Sequence, residues 1–346
     1  MSISSLFNIR PPRSVFLSGS GATVVLLGLL GCAPLPAQTL PVQTVPAATA
    51  PPAPLPSVAT PAVATPAVIA LDARVAQLKK NTLGYMVPFK SGTFEMGNWG
   101  YYGFDSADTR PLHKVTLDGF YMMAYKVSYE EFDVFTDSVG EQRVNMDEFS
   151  RRYRAPRKPA GVSWYGAKAY CQWLGRLTGK PFDLPTEAQW EYAARSGGKR
   201  VLFATDNGKV EEGRNYSADN DPRIKPRLIA FDLGSFPPNP AGLYGMLDYA
   251  SAEWVQDWYD PTYYQRSLER NPKGGAEKDS IDPEHPEFGP RKVMRGDPNG
   301  NNPAFANYVF TRDHRGLEYR RESGYSSTPS TQFRCVINAA PPSRSR

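Results

Sequence analysis

Histidine and cysteine are scarce in this 346-residue chain, three of each, which excludes a metal centre built from many imidazoles or thiolates. Long apolar runs are missing as well. The one notable run, Ala22–Gly31, is about half of the roughly 20 residues that a helix needs to cross a bilayer, so a polytopic membrane protein is excluded. No Gly-x-Gly-x-x-Gly segment and no long strand–helix alternation occur, which leaves a dinucleotide-binding sheet without support. Neither sign of charge dominates: 40 basic residues stand against 35 acidic ones, a formal +5, and no nucleic-acid partner is expected from so mild a balance.

Proline is abundant instead, at 33 residues, and it concentrates near the N-terminus. Residues 1–31 read as a secretory leader: Arg10 and Arg13, then the apolar run, then Leu29-Leu30-Gly31-Cys32, with no acidic residue before it. Leu-Leu-Gly-Cys resembles a bacterial lipobox, which implies a lipid on Cys32, and Ala33 after it fits sorting to the outer membrane, facing the periplasm. Residues 32–70 are almost entirely Pro, Ala, Val, Thr, Leu and Gln. Proline denies such a segment both helix and sheet ladders, so a disordered tether is expected, with a reach on the order of 100 Å at about 3.1 Å per residue. Leu71, Val75 and Leu78 have helical spacing, giving a short lead-in helix over 71–80. A globular domain is expected over 81–338, with a tail at 339–346.

Within the domain, Met86–Phe89, Gly92–Gly97, His113–Leu117 and Phe120–Met122 read as short strands. Ser128 and Ser163 are candidate N-caps, the second opening a helix with Trp164, Ala167, Tyr170, Cys171 and Leu174 on one face. Thr186 and Gln189 form a capping box for a third helix. The remainder is loop-rich and aromatic, an α+β pattern with little regular secondary structure.

Three segments then become specific: Gly161-Val162-Ser163-Trp164, Ala169-Tyr170-Cys171-Gln172-Trp173-Leu174, and Leu184-Pro185-Thr186-Glu187-Ala188-Gln189-Trp190-Glu191-Tyr192-Ala193-Ala194-Arg195. Together with Gly92–Gly97, Gly234–Asn239, Gly242-Leu243-Tyr244, Glu253-Trp254, Arg295-Gly296 and Phe333-Arg334-Cys335 they resemble the sulfatase-modifying-factor family, which includes the formylglycine-generating enzyme. The resemblance implies a C-type-lectin-like fold of the formylglycine-generating-enzyme type. It also implies that Cys171 and Cys335 form a structural disulfide, consistent with an oxidising compartment. Closing so long a loop is worth roughly 5 kcal/mol in the chain-entropy model.

The oxidase chemistry implied by the resemblance needs two nearby thiols for copper, and Asn299–Arg321, where they belong, contains no cysteine. No copper is therefore expected. Arg295, Asp297 and His314 remain as catalytic candidates by position alone. Calcium is the other implied ion, at one or two sites using Asn215, Asp248 and Glu253; the alternative for Glu253 is a simple buried carboxylate. His113 reads as a structural strand residue and His285 as exposed. Tyr101, Tyr102, Tyr263, Tyr264 and Tyr308 lie among Gly, Asn and Pro, where a tyrosine can serve a ligand; Tyr101, Tyr102 and Tyr308 are the binding candidates. The basic run Arg151–Lys158 is either a solvated loop or an anion-attracting patch. The expected function is a lipid-anchored binding or scaffold component of an envelope machine, a pseudoenzyme with a protein or glycan partner. An atypical oxidase or maturation enzyme, or formylglycine formation itself, is the alternative.

Overall fold

The computed structural model describes residues 66–100, 106–217, 231–248, 251–297, 308–317 and 324–338. The chain divides into two units, 1–61 and 62–346, and every described residue belongs to the second. The leader, Cys32, the tether up to residue 65, Tyr101, Tyr102 and the tail lie outside the described residues.

Helix α1 (Pro66–Gly84) is longer than the expected 71–80 segment, because proline is tolerated at a helix's first position and the residues after Pro66 are apolar and helix-compatible. The end of the expected tether is thus helical. Leu78 is buried, Val75 and Leu83 pack against the core, and Arg74 pairs with Asp137 at 2.9 Å.

Local chemistry sets the helix starts. Ser128 closes a capping box with Glu131 at the head of α2 (Tyr129–Val139), which stops at left-handed Gly140. After the short α3 (Glu148–Arg151), Ser163 caps α4 (Trp164–Thr178), and Thr186 with Gln189 closes a box on α5 (Glu187–Ala194). The expected strands form as β1 (Met86–Phe89), β2 (Gly92–Met96), β3 (His113–Leu117) and β4 (Phe120–Met123), joined later by β5 (Phe182–Asp183), β6 (Ser251–Trp258), β7 (Arg291–Asp297), β8 (Asp313–Gly316), β9 (Thr331–Gln332) and β10 (Val336–Asn338). Among the described residues three sheets result, ordered β1-β4-β10-β5, β2-β3 and β8-β7-β6-β9. The β2–β3 hairpin is inserted between β1 and β4, which pair with each other; both pairings are antiparallel.

Two apolar clusters fill the domain, and several strands serve both. Met122, Val255, Val293 and Val336 enter the first cluster, while their chain neighbours Met123, Trp254, Met294 and Ile337 enter the second. Successive strand residues point to opposite faces, so β4, β6, β7 and β10 are buried on both sides. The second cluster is aromatic: Phe132 lies 5.7 Å from Tyr170 and Phe135 lies 5.5 Å from Trp173, ring centre to ring centre. Gly161 permits the closest backbone approach there, since a Cβ would stand 2.5 Å from both Pro329 Cα and Thr328 O.

The Cys171–Cys335 disulfide joins the middle of α4 to the entry of β10 across 164 residues, with Cα atoms 5.7 Å apart and both residues fully buried. Intact mass under non-reducing conditions is expected to be lighter than the reduced form by the two thiol hydrogens. Two alkylatable thiols at these positions in the unreduced, unfolded protein would contradict the bond.

Candidate functional site

Glu187, Glu191 and Arg195 are the charged residues of the run from Leu184 and recur every fourth residue, which puts them on one face of α5 and its end. All three are at most 1% exposed. Their partners come from distant chain. Arg295 of β7 donates to Glu187 at 2.9 Å and to Glu191 at 2.8 Å, and also to the Val309 carbonyl. Arg312 straddles Glu187 at 2.7 and 3.1 Å and donates to the Asp108 and Asp260 carbonyls. Arg195 donates to Glu191 at 2.9 Å and to the Glu95 carbonyl, while the Gly97 amide donates to the same Glu191 carboxylate.

Burial by itself would raise the Glu187 pKa, but the Arg312 and Arg295 charges override it and hold the carboxyl below its ordinary value. Breaking a buried pair of this kind by removing one partner costs about 3–5 kcal/mol, because the other charge is stranded. The network therefore clamps α5, β2, β7 and the 308–312 segment to one another.

A second, mostly buried layer lies beside it, in which His314 is partly exposed. Tyr259 donates to Asp108 at 3.0 Å, and burial and that carboxylate keep the phenol protonated. The His314 ring lies 4.0 Å from the Tyr259 ring, and burial, aided by Arg291, pushes its pKa down to about 4. An imidazole that weak is a poor general base near neutrality. Asp257 accepts from the Glu187 amide at 2.8 Å; burial, then repulsion from Glu187, raises it to about 7. Lys292 stands 3.5 Å from the Trp258 ring centre and donates to the Gln256 carbonyl at 2.6 Å, with burial lowering its pKa to about 8.

Most of the residues singled out from the sequence have structural partners instead of a shared cleft. Arg295 is closed in the ionic network. The Asp297 backbone pairs with Ser251, and its side chain lies outside the described atoms. Tyr308, Tyr263 and Tyr264 are buried, 4%, 8% and 2% exposed: Tyr308 packs between Phe203 and Phe310, and Tyr264 reaches Glu187 at 3.3 Å. Asn215 buckles its own loop, accepting from the Glu211 amide and donating to Asp206. Asp248 is paired with Lys126 at 2.9 Å. Glu253 is a buried carboxylate held at both oxygens by Arg334, at 2.7 and 2.9 Å. The three calcium candidates are thus committed to three separate sets of protein partners, a poor fit to a hard cation that needs six to eight free oxygens. Among the described residues no group of three His, Cys, Asp or Glu side chains is placed to hold a metal. Copper fits no better, since the disulfide leaves the chain one other cysteine, Cys32. His113 sits in β3 against Tyr264, and His285 is exposed beside Glu287. In the basic run, Arg154 turns inward to grip Asp133 at 2.7 and 2.9 Å.

Few helices, three small sheets and long connecting segments around a helix-borne ionic core define an α+β domain of the formylglycine-generating-enzyme type. Residues 72–339 match the sulfatase-modifying factor enzyme 1-like (FGE-sulfatase) domain, and the chain belongs to that family. It is 31% identical over 273 residues to the protein named serine/threonine-protein kinase pkn1 of Chlamydia pneumoniae, with 73% of this chain but only 38% of that relative covered. It is 26% identical over 306 residues to the formylglycine-generating enzyme of Bos taurus, covering 74% of this chain and 75% of that one. Among solved structures, PvdO from Pseudomonas aeruginosa is similar at a TM-score of 0.56 and 25% identity, covering 73% of this chain and 94% of that chain.

Two buried groups make opposite contributions to pH dependence. Folded Asp257 keeps its proton up to about 7, whereas the unfolded side chain releases it near about 3.9. The folded state binds the extra proton in between, so this contribution to stability falls as pH rises. Folded His314 loses its proton near 4 and the unfolded side chain near about 6.5, so its contribution rises with pH over that window. Relative to wild type, Asp257→Asn is expected to make Tm climb more steeply between about pH 4.5 and 6.5, and His314→Phe to make it climb less. Thermal denaturation across that range checks both; variants whose profiles run parallel to wild type would contradict the assignments.

Proposed function

We propose that this protein is a lipid-anchored, periplasm-facing member of the sulfatase-modifying-factor family that uses the fold as a binding scaffold in the bacterial outer membrane, for a protein or glycan partner, and performs no copper–thiolate oxidation. One observation carries the reading: two of three cysteines are bonded to each other inside the core. A site that binds monovalent copper through two thiolates has no second thiol available. The positional candidates do not replace it, because Arg295 is held between two carboxylates and His314 is a weak base lying on Tyr259. The lipobox-like Leu29-Leu30-Gly31-Cys32 supports the anchor.

A second reading, an atypical maturation enzyme, is favoured by one feature only, the partly exposed, neutral His314 beside the buried Tyr259–Asp108 pair. One experiment separates the two readings. Copper-supplemented protein is incubated with a sulfatase-type cysteine peptide, and aldehyde formation is followed by mass spectrometry. The scaffold reading expects no turnover, with the wild-type protein in the membrane fraction and Cys32→Ala released from it. Turnover abolished by His314→Phe would establish the enzyme reading instead.

A further inference from the structure

Lys126 lies just after β4 in the stretch Met122-Met123-Ala124-Tyr125-Lys126-Val127 and is the only charged residue in it. Its side chain is 1% exposed. The ammonium donates to Asp248 Oδ2 at 2.9 Å and to Ser251 Oγ at 2.5 Å, and the Ser251 hydroxyl in turn donates to Gln332 Oε1 at 2.6 Å. Gly245 makes room for this contact: it turns with φ 61°, and a Cβ there would stand 2.5 Å from Asp248 Oδ2 and 3.6 Å from Lys126 Nζ. Two hard oxygens thus converge on a compact point charge, enough for an ammonium but too few for a calcium ion, which takes six to eight. A few residues on, Arg334 neutralises Glu253. Both carboxylates that read as calcium ligands in the sequence therefore face a cation belonging to the protein itself.

We propose that the Lys126 ammonium is the resident cation held by Asp248 and Ser251, supplying internally the charge that a divalent ion would otherwise bring, so that the domain folds independently of calcium. The Asp248 and Ser251 oxygens are in this view a cation seat already filled by the chain's own side chain. A divalent ion entering beside Lys126 would meet its repulsion with only one carboxylate, Asp248, to offset it.

The test is thermal denaturation of the full chain in EDTA and in millimolar calcium chloride. Wild-type Tm is expected to be the same in both. Lys126→Met, which keeps the length and loses the charge, is expected to lower Tm by on the order of 10 °C. Lys126→Asp, which adds a carboxylate to the same oxygens, is expected to show a Tm or a folded circular-dichroism signal that rises with calcium, and no such rise when Asp248→Asn is added. A wild-type protein that loses stability in EDTA and regains it with calcium would overturn the proposal. So would a Lys126→Met variant as stable as wild type, or a Lys126→Asp variant indifferent to calcium.

Discussion

The bond between Cys171 and Cys335 sets both the architecture and the chemistry of this domain. It fastens α4 to the entry of β10, whose strand lies between β4 and β5 in the first sheet. The chain just before it, Gln332, Phe333 and Arg334, is fully buried, so the last described segment threads the interior instead of lying on the surface. In the chain-entropy picture a loop this long contributes about 5 kcal/mol, a large part of a typical domain's net stability. The same bond withdraws two thiols from reactivity, and the proposed function rests on that withdrawal.

Charge completes what sulfur begins. Arg195, Arg295 and Arg334 are among the largest fully buried side chains, and each is matched to a glutamate: Glu191, Glu187 with Glu191, and Glu253. A fold with short strands and long connections has few ladder hydrogen bonds to spread over its segments, and bidentate guanidinium–carboxylate pairs fix orientation as well as distance. Lys126 and Asp248 extend the same pattern of internal cations. Residues that resemble catalytic or ion-binding positions in the sequence are in this way turned to holding the interior together.

How much of this is legible in the sequence depends on the range of the interaction. Ser128, Ser163 and Thr186 are recognisable as caps because capping involves residues three apart, and the family resemblance rests on contiguous runs such as Leu184–Arg195. The Glu187 and Glu191 partners are not legible, since Arg295 and Arg312 lie more than a hundred residues away; the only hint is two glutamates at i, i+4 in an apolar helix. For Tyr263, Tyr264 and Tyr308, neighbouring Gly, Asn and Pro report a break in regular structure but not depth, and all three side chains are buried. The start of α1 is misplaced by sequence reasoning because proline reads as a helix breaker, whereas at the first position it is compatible with a helix. Lys126 gives no signal, because a lone lysine after a strand looks like a solvent-facing residue until its oxygen partners, drawn from residues 248 and 251, are seen around it.

The central claim is that no pair of thiolates is available to a redox metal, and sulfur ligation is its most direct test. X-ray absorption at the copper edge, on protein incubated with monovalent copper without reductant strong enough to open the disulfide, is expected to show no shell of two sulfurs at thiolate distance. A shell of two sulfurs at thiolate distance, lost in a Cys171→Ser or Cys335→Ser variant, would contradict the account.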